Sequence, residues 1–469
     1  MPKIYRKDAA RFAYASPSAH LGLLGLAFLV LGLMVWRVEL LAVGWPLAGY
    51  LRPACRALLA VGALALTAAG VLYAALPDHV RIRHMVRRAL YCPAYGNPLH
   101  LQDGELLPKI TCRPAENGNG YVLTAKVQSC TVENIKALAS FISSALSGRY
   151  KDYAVISCAA DPAYNMVVFI VDDVTVDRRI VINNVEELRP ASPTRLTVQN
   201  GTAIDLTTSG SILVAGKTRS GKTTGIIALL LQALMAGPDK YGSTVKIIDP
   251  KRAELSRLPG VVTLDEDGEA RAILAALREF ADTVTRRQAV LNEMSGKTGD
   301  AVHWWDAGMH VSFLFLDEFV ALRSILPKKA GKDDPGYCLA EFDALLKQIV
   351  TMGASAGCYV IISIAEASVE EGGLPAMLRS AMSTRILFRP TMPEARLLWS
   401  QDKLEAMLER TFSPGEAWFS STDGVHDDVS FVRFPRMDFA VYRELGRLLQ
   451  DYETARAAAT SEAEEQRRD

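Results

Sequence analysis

The chain has 469 residues, with 52 basic and 52 acidic side chains, so its formal charge at pH 7 is zero. That balance excludes a globally basic nucleic-acid binder, and any contact with a polyanion has to be local. Seven cysteines at irregular spacings, with no C-x-x-C pair and no histidine at metal-ligand intervals, exclude a disulfide framework and a zinc site and fit reduced thiols in a cytosolic body.

The length accommodates two or three units that each bury a core. Phe12 to Trp36 carries no Asp, Glu, Lys or Arg, and Ala57 to Leu76 is a second uncharged run, long enough to span roughly 30 Å of hydrocarbon. Two transmembrane helices are expected, about 19–36 and 57–76, joined as a hairpin through the Pro-interrupted segment Arg37 to Arg56. Lys3, Arg6, Lys7 and Arg11 precede the first run, and Arg81, Arg83, Arg87 and Arg88 follow the second. Both flanks then belong on the cytoplasmic side, giving a multi-pass protein of the cytoplasmic membrane with its body inside. A signal peptide is the competing reading of the first run, but no small-residue cleavage site follows it. The arginine cluster, in a basic juxtamembrane segment 77–120, reads as a topology and headgroup signal, with DNA guidance as the alternative.

A small α+β domain is expected over 121–190. Tyr121 to Gln128, Tyr153 to Ala159 and Met166 to Val171 have strand character, and Val132 to Leu146 places Ile135, Leu138, Ala139 and Ile142 on one helical face. Pro190 and Pro193 mark a linker into a larger unit, 191–440, followed by a C-terminal helix and polar tail, 441–469, frayed or disordered from about Tyr452. Cys158 and Cys358 lie in apolar runs and read as core residues.

The most specific signal opens that larger unit. Ile212 to Ala215 is an apolar strand, followed by Gly216-Lys217-Thr218-Arg219-Ser220-Gly221-Lys222-Thr223-Thr224 and the apolar helix Ile226 to Leu234. This is a G-x-x-x-x-G-K-[ST] phosphate cradle. Its backbone N–H groups surround an anion, Lys222 reaches the β/γ-phosphates, and the Thr223 hydroxyl ligates Mg²⁺, so ATP and Mg²⁺ are the expected ligands. A second strand, Thr244 to Ile248, ends in Asp249-Pro250-Lys251. A third, Val311 to Leu316, ends in Asp317-Glu318. Apolar strand then acid is a Walker B pattern, in which Asp317 holds the metal and Glu318 acts as general base; the bland alternative is two solvated acids. Strands at Tyr359 to Ile364 and Arg385 to Phe388 complete an alternation typical of a parallel sheet with helices on both faces.

These segments resemble the FtsK/SpoIIIE DNA-translocase motors over roughly Val198 to Phe434. The resemblance rests on SILVAGKTRSGKT, KIIDPKRAEL, Thr285-Arg286-Arg287 in the helix Arg271 to Met294, FLFLDEF and STRILF. It implies a RecA-like ATPase motor, a homo-hexameric ring and sequence-independent DNA binding. The Asp317 to Phe319 ending is also similar to TraG/TraD-type coupling proteins. A membrane hairpin followed by a compact motor resembles the TcpA-like coupling proteins of Gram-positive conjugative elements. By that resemblance the chain delivers DNA to a secretion channel, with a relaxase or channel proteins as partners. The alternatives are a chromosome or plasmid partition translocase, an FtsK-like protein-secretion ATPase, and a non-hydrolysing scaffold.

Two departures from the family stand out. Where many members end the fourth strand in a polar sensor, often Gln, this chain has Ser363-Ile364-Ala365-Glu366-Ala367, and Ala354 occupies the position of a trans-acting arginine. Arg379 and Arg385 are then candidates for the arginine finger, against ordinary surface pairing. Arg323, Lys328, Lys329 and Lys332 are candidates for contacts to the DNA backbone, against a solvated loop. Lys251 is a structural or phosphate-side residue by the resemblance. Arg286 and Arg287 are expected on the polar side of their helix, available for salt bridges between protomers.

Overall fold

The computed structural model describes residues 4–9, 17–41, 48–92, 96–115, 120–332, 334–365, 374–405, 407 and 411–465. The chain divides into two compact units, Met1–Asp177 and Arg178–Asp469.

The first unit begins with two long helices, α1 (Pro17–Leu41) and α2 (Ala48–Ala75). Their stretches Ser18–Val38 and Tyr50–Ala75 are long and apolar enough to cross a membrane. Leu23, Leu31, Trp36, Leu64 and Val71 are among the large apolar side chains they leave exposed, whereas the core helix of a soluble protein hides such surface. The second helix begins ahead of the expected residue 57 and takes in Arg52, Pro53 and Arg56. The pair approach through glycines: a Cβ added at Gly25 would lie 3.0 Å from the Gly62 carbonyl oxygen, and one at Gly62 would lie 2.9 Å from that of Gly25. Small residues of this kind let backbones pack closely where no hydrophobic drive joins two helices.

A four-stranded antiparallel sheet follows, made of β1 (Lys109–Pro114), β2 (Tyr121–Lys126), β3 (Tyr153–Ala160) and β4 (Met166–Asp173) in the order β1-β2-β4-β3. Helix α3 (Asp78–Tyr91) buries Ile82, Val86 and Leu90 in the same core, so this domain begins well before residue 121. The helix expected over Val132 to Leu146 is two short ones, α4 (Val132–Lys136) and α5 (Ala139–Ala145). A tight turn between them, with Leu138 N–H donating to the Ile135 carbonyl, brings Ile135, Leu138 and Ile142 all into the core.

In the second unit, β5 (Val181–Ile182), β6 (Arg195–Gln199) and β7 (Thr202–Asp205) lead into β8 (Ile212–Gly216) and α6 (Lys222–Ala236). Then come β9 (Val245–Ile248), α7 (Arg271–Thr298), β10 (Ser312–Leu316), α8 (Phe319–Ile325), α9 (Leu339–Met352) and β11 (Cys358–Ile364). The unit continues with α10 (Ala376–Ala381), β12 (Thr384–Phe388), α11 (Met392–Leu398), α12 (Gln401–Glu405), β13 (Glu416–Ser421), β14 (Ser430–Arg433), β15 (Arg436–Met437) and α13 (Val441–Glu465). The unit starts ahead of Pro190 because β5 pairs with β15 and because Ile182, Val185 and Leu188 enter its core.

The main sheet runs β14-β13-β12-β8-β11-β10-β9, parallel from β12 to β9, with an antiparallel edge formed by β13 and β14. Alternate residues of each strand face opposite layers. Ile212 and Val214 join the core shared with α6, while Leu213 and Ala215 join the one shared with α7, α8 and α9. Burial on both faces explains why these strands are almost wholly apolar. Cys158 and Cys358 are core residues, and none of the seven cysteines forms a disulfide. The C-terminal helix is continuous to Glu465, and Tyr452 anchors it, 3% exposed and donating to Ser243 Oγ at 3.1 Å.

Candidate nucleotide site

The loop between β8 and α6 is shaped by three consecutive constraints. Gly216 leaves the strand at φ 151°, a Cβ there would lie 2.9 Å from Phe388 Cβ, and the chain bends back as Ser220 N–H donates to the Lys217 carbonyl at 3.1 Å. Arg219 takes a left-handed φ of 63°. Gly221 then caps α6 at φ 92°. It has no room for a side chain, because a Cβ would meet Gly415 N at 2.4 Å; Gly415 N–H in turn donates to the Ser220 carbonyl at 2.8 Å. Gly415, just before β13, thus braces the loop from outside the motif. Lys217, Thr218 and Arg219 are exposed, Ser220 and Lys222 are buried, and Thr223 is half-buried in the first turn of α6 beside exposed Thr224.

The acids at the neighbouring strand ends come to the same place. Lys222 Nζ lies 3.9 Å from Glu318 Oε2, and Lys251 Nζ lies 2.7 Å from the same oxygen. Glu318 has a left-handed backbone, φ 46° and ψ 57°, at the entry to α8, the kind of rare conformation that collects at active sites. Asp249 holds the Asp-Pro-Lys loop, its fully buried carboxylate accepting from Lys251 N at 3.0 Å, Ala253 N at 3.0 Å and Ser256 N at 3.1 Å. That lock aims Lys251 at Glu318, a partnership between segments 67 positions apart that sequence spacing does not disclose.

The cluster has more charge than it can settle internally. Burial pushes the Lys222 ammonium below the ordinary lysine range, against the pull of Glu318 and Asp317. Burial also pushes the Asp317 carboxyl upward, with Asp249 and Glu318 adding to the rise and Lys222 opposing it. The Ser363 hydroxyl at the end of β11 acts to lower the Asp317 value but forms no well-shaped hydrogen bond among the described residues. Ser220 Oγ is likewise buried without a partner among them. The unpartnered Ser220 hydroxyl, a buried ammonium of lowered pKa and a glycine cradle fit a phosphate chain with a cation, which would supply acceptors and positive charge to this cluster.

Other expected roles fall differently. Arg287 is not on the polar side of α7: it is 1% exposed and pairs with Asp239 at 3.1 Å within the same chain, so only Arg286 is left on the surface. Arg323 pairs with Asp343 and lies 5.6 Å over the Phe319 ring, which removes it from the group of free cations. Lys328, Lys329 and Lys332 are exposed and form no ion pair among the described residues. Arg385 sits near the start of β12, opposite Leu213, away from the phosphate loop, and donates to the carbonyls of Met382, Leu398 and Arg379. Arg379 is half-buried at the end of α10 beside it. Ala354 is exposed, and Ser363 ends up beside Asp317, while Glu366 and Ala367 lie outside the described residues.

Residues 185–389 match the model of the FtsK/SpoIIIE family. The chain is 30% identical over 152 residues to the FtsK domain-containing protein YdcQ of Bacillus subtilis, an overlap of 32% of this chain and 28% of that protein. It is 26% identical over 252 residues to the DNA translocase FtsK of Helicobacter pylori strain J99, covering 50% of this chain and 28% of the relative. The chain therefore covers little more than a quarter of the length of either. Among solved structures, the pCW3 conjugation coupling protein TcpA, in monomer form with ATPγS, aligns at TM-score 0.46 and 15% identity over 73% of this chain and 93% of that one. ATPases 2 and 3 of EssC from Geobacillus thermodenitrificans align at TM-score 0.41 and 16% identity over 60% and 52%.

Proposed function

With residues 185–389 forming a P-loop ATPase domain of the FtsK/SpoIIIE family, we propose that the protein is a membrane-anchored, ATP-driven DNA translocase that serves as a conjugative coupling protein. Its ring is a homo-hexamer at the cytoplasmic face, which delivers DNA to a secretion channel and docks a relaxase or channel component. The observation that carries the ATPase part is the convergence of Lys222, Asp317 and Glu318 at the mouth of the phosphate loop.

In this reading the loop from Gly216 to Thr224 would cradle the phosphates through its backbone N–H groups, with Ser220 Oγ and the Lys222 ammonium available to the phosphate oxygens. Thr223 and Asp317 would hold the cation. Bound MgATP supplies the phosphoanhydride and a positive charge that stabilises phosphoryl transfer. Glu318 accepts the proton of the attacking water, and Lys251 keeps its carboxylate in position. The exposed Lys328, Lys329 and Lys332 give a neutral protein a local set of cations for the DNA backbone, independent of sequence. The apolar surface of α1 and α2 supports anchoring as a hairpin with both ends in the cytoplasm, the side of Arg81, Arg83, Arg87 and Arg88.

The test is ATP hydrolysis by the full chain in detergent, with and without double- and single-stranded DNA, beside Lys222→Ala and Glu318→Gln. Turnover that rises with DNA and vanishes in both variants is expected. ATP turnover that DNA leaves unchanged in assembled rings would sink the translocase reading. Flotation with vesicles after alkaline extraction checks the anchor.

A further inference from the structure

Where the same-side ends of α1 and α2 meet the small domain, the first unit contains a cavity of about 340 Å³ that plays no part in the nucleotide chemistry. Tyr73, Arg81, His84, Ser147, Arg149 and Tyr150 line it, with Ser18 of the first turn of α1 on one wall. Its chemistry is cationic and hydroxyl-rich. Arg81 donates through Nε to the Leu76 carbonyl at 3.0 Å and through Nη2 to the Tyr73 and Ala74 carbonyls, each at 2.7 Å, which closes the C-terminal end of α2. Its guanidinium also stacks over the Tyr73 ring, 5.2 Å from the centroid. This fixes a cation at the point where the apolar helix stops, with the Nη1 edge outside those bonds.

Arg149 lies across the cavity, stacked over Tyr150 at 5.0 Å and bonded to the Tyr150 hydroxyl at 2.7 Å. Asp78, which lies beside the cavity, is already engaged by Arg149, Tyr150 and Tyr121. The local field is positive: burial lowers the His84 pKa, and Arg87, Arg88 and Arg83 lower it further. Leu76 and Met85 give the mouth an apolar lip, and the exposed apolar flank of the helices begins next to it at Leu72 and Leu23. A volume at the small end of ligand cavities suits a headgroup and not a whole lipid.

We propose that this cavity binds the phosphodiester headgroup of an anionic glycerophospholipid from the cytoplasmic leaflet, its acyl chains continuing along the apolar flank of the hairpin. The proposal rests on the membrane-anchored reading and is independent of the DNA-translocase one. The phosphate faces Arg81 and Arg149, and the hydroxyls of Ser147 and Tyr150 meet the polar end of the headgroup. Such a site ties the start of the cytoplasmic body to the bilayer at a defined depth, by charge as well as by apolar burial.

The test is a thermal melt of the full chain in neutral detergent, titrated with short-chain phosphatidylglycerol, short-chain phosphatidylcholine or inorganic phosphate. Saturable stabilisation by phosphatidylglycerol alone is expected. His84→Glu and, separately, Arg149→Glu weaken it about fivefold or more, the effect of about one juxtamembrane charge. His84 forms none of the backbone bonds that hold the cavity, so its variant keeps the test decisive if Arg149→Glu disturbs the Asp78 contacts. Arg436→Ala, in the other unit, leaves the titration unchanged. Equal stabilisation by phosphatidylcholine would overturn the charge argument, and equal stabilisation by inorganic phosphate would make this a free-anion site. Unaltered affinity in both glutamate variants would place the lipid elsewhere. Flotation reports on the anchor, so a chain that floats yet shows no headgroup preference refutes this inference alone.

Discussion

Among the places where the second unit buries charge, two are built to different rules. At the N-terminal side of the sheet, Arg287 and Asp239 form a closed account of bonds. Arg287 donates to the Ala356 carbonyl at 2.7 Å, the His310 carbonyl at 2.7 Å and Asp239 Oδ2 at 3.1 Å. Asp239 also accepts from the backbone N–H groups of Tyr241, Ser243 and His310. At the phosphate-loop end, Lys222 and Asp317 have displaced proton affinities, and the hydroxyls of Ser220 and Ser363 have no well-shaped hydrogen bond among the described residues. A saturated buried pair is scaffold. Where displaced proton affinities and unmet hydroxyls gather around a glycine cradle, a ligand is the natural partner.

The largest effect that sharpens this contrast is on chemistry. Glu318→Gln should lower hydrolysis by about 10²–10⁴-fold while ATP binding persists, the range for losing a general base; steady-state turnover beside equilibrium nucleotide titration checks it. Next, Arg287→Ala should destabilise the fold by about 3–5 kcal/mol, because Asp239 is left buried and unpaired. Denaturant unfolding measures it, and adding Asp239→Asn, which removes the unpaired charge and keeps an oxygen acceptor for the backbone N–H groups, should recover part of the loss. If removing Arg287 proved harmless, the pair would not be scaffold.

Asp317→Asn should act in the opposite direction, raising the melting temperature of the nucleotide-free chain while abolishing cation-dependent turnover. The raised pKa means that the native chain holds this proton more tightly than the unfolded chain does. Stability from this group is therefore present at acid pH and lost as pH rises from the usual aspartate value through the folded one. The amide removes that penalty, and melts across the acid range should show the gap between variant and parent widening with pH. The smallest effect belongs to Lys251→Met. Its side chain is 50% exposed, so loss of the Glu318 contact should change stability by less than about 1 kcal/mol, measured by the same unfolding curves.

The parts of this site visible in the sequence are the local ones. A strand, a glycine loop and a helix are contiguous, so Gly216 to Thr224 announce their geometry directly, as does the acid pair that ends β10. Pairings between distant segments leave no such mark. Nothing near Arg287 names Asp239, 48 positions away, and helical periodicity put a fully buried guanidinium on the polar side of α7. The same holds for edges. Strand β13 is held by antiparallel pairing onto β12 and β14 by antiparallel pairing onto β13, and β1 alternates with charged residues and ends in proline, so none of them gives the continuous apolar signal of a doubly covered strand. The break between α4 and α5 is invisible for a related reason, since only the sheet beneath decides that Ile135, Leu138 and Ile142 must all face it.

Gly415 lies well outside the phosphate-loop motif, yet it shares a van der Waals boundary with Gly221 and a hydrogen bond with Ser220. The phosphate loop and the start of β13 are thereby mechanically coupled. Any displacement of Ser220 or Gly221 pushes on Gly415 and hence on the first residue of β13, so the antiparallel rim of the sheet acts as a lever arm whose fulcrum is the nucleotide cradle.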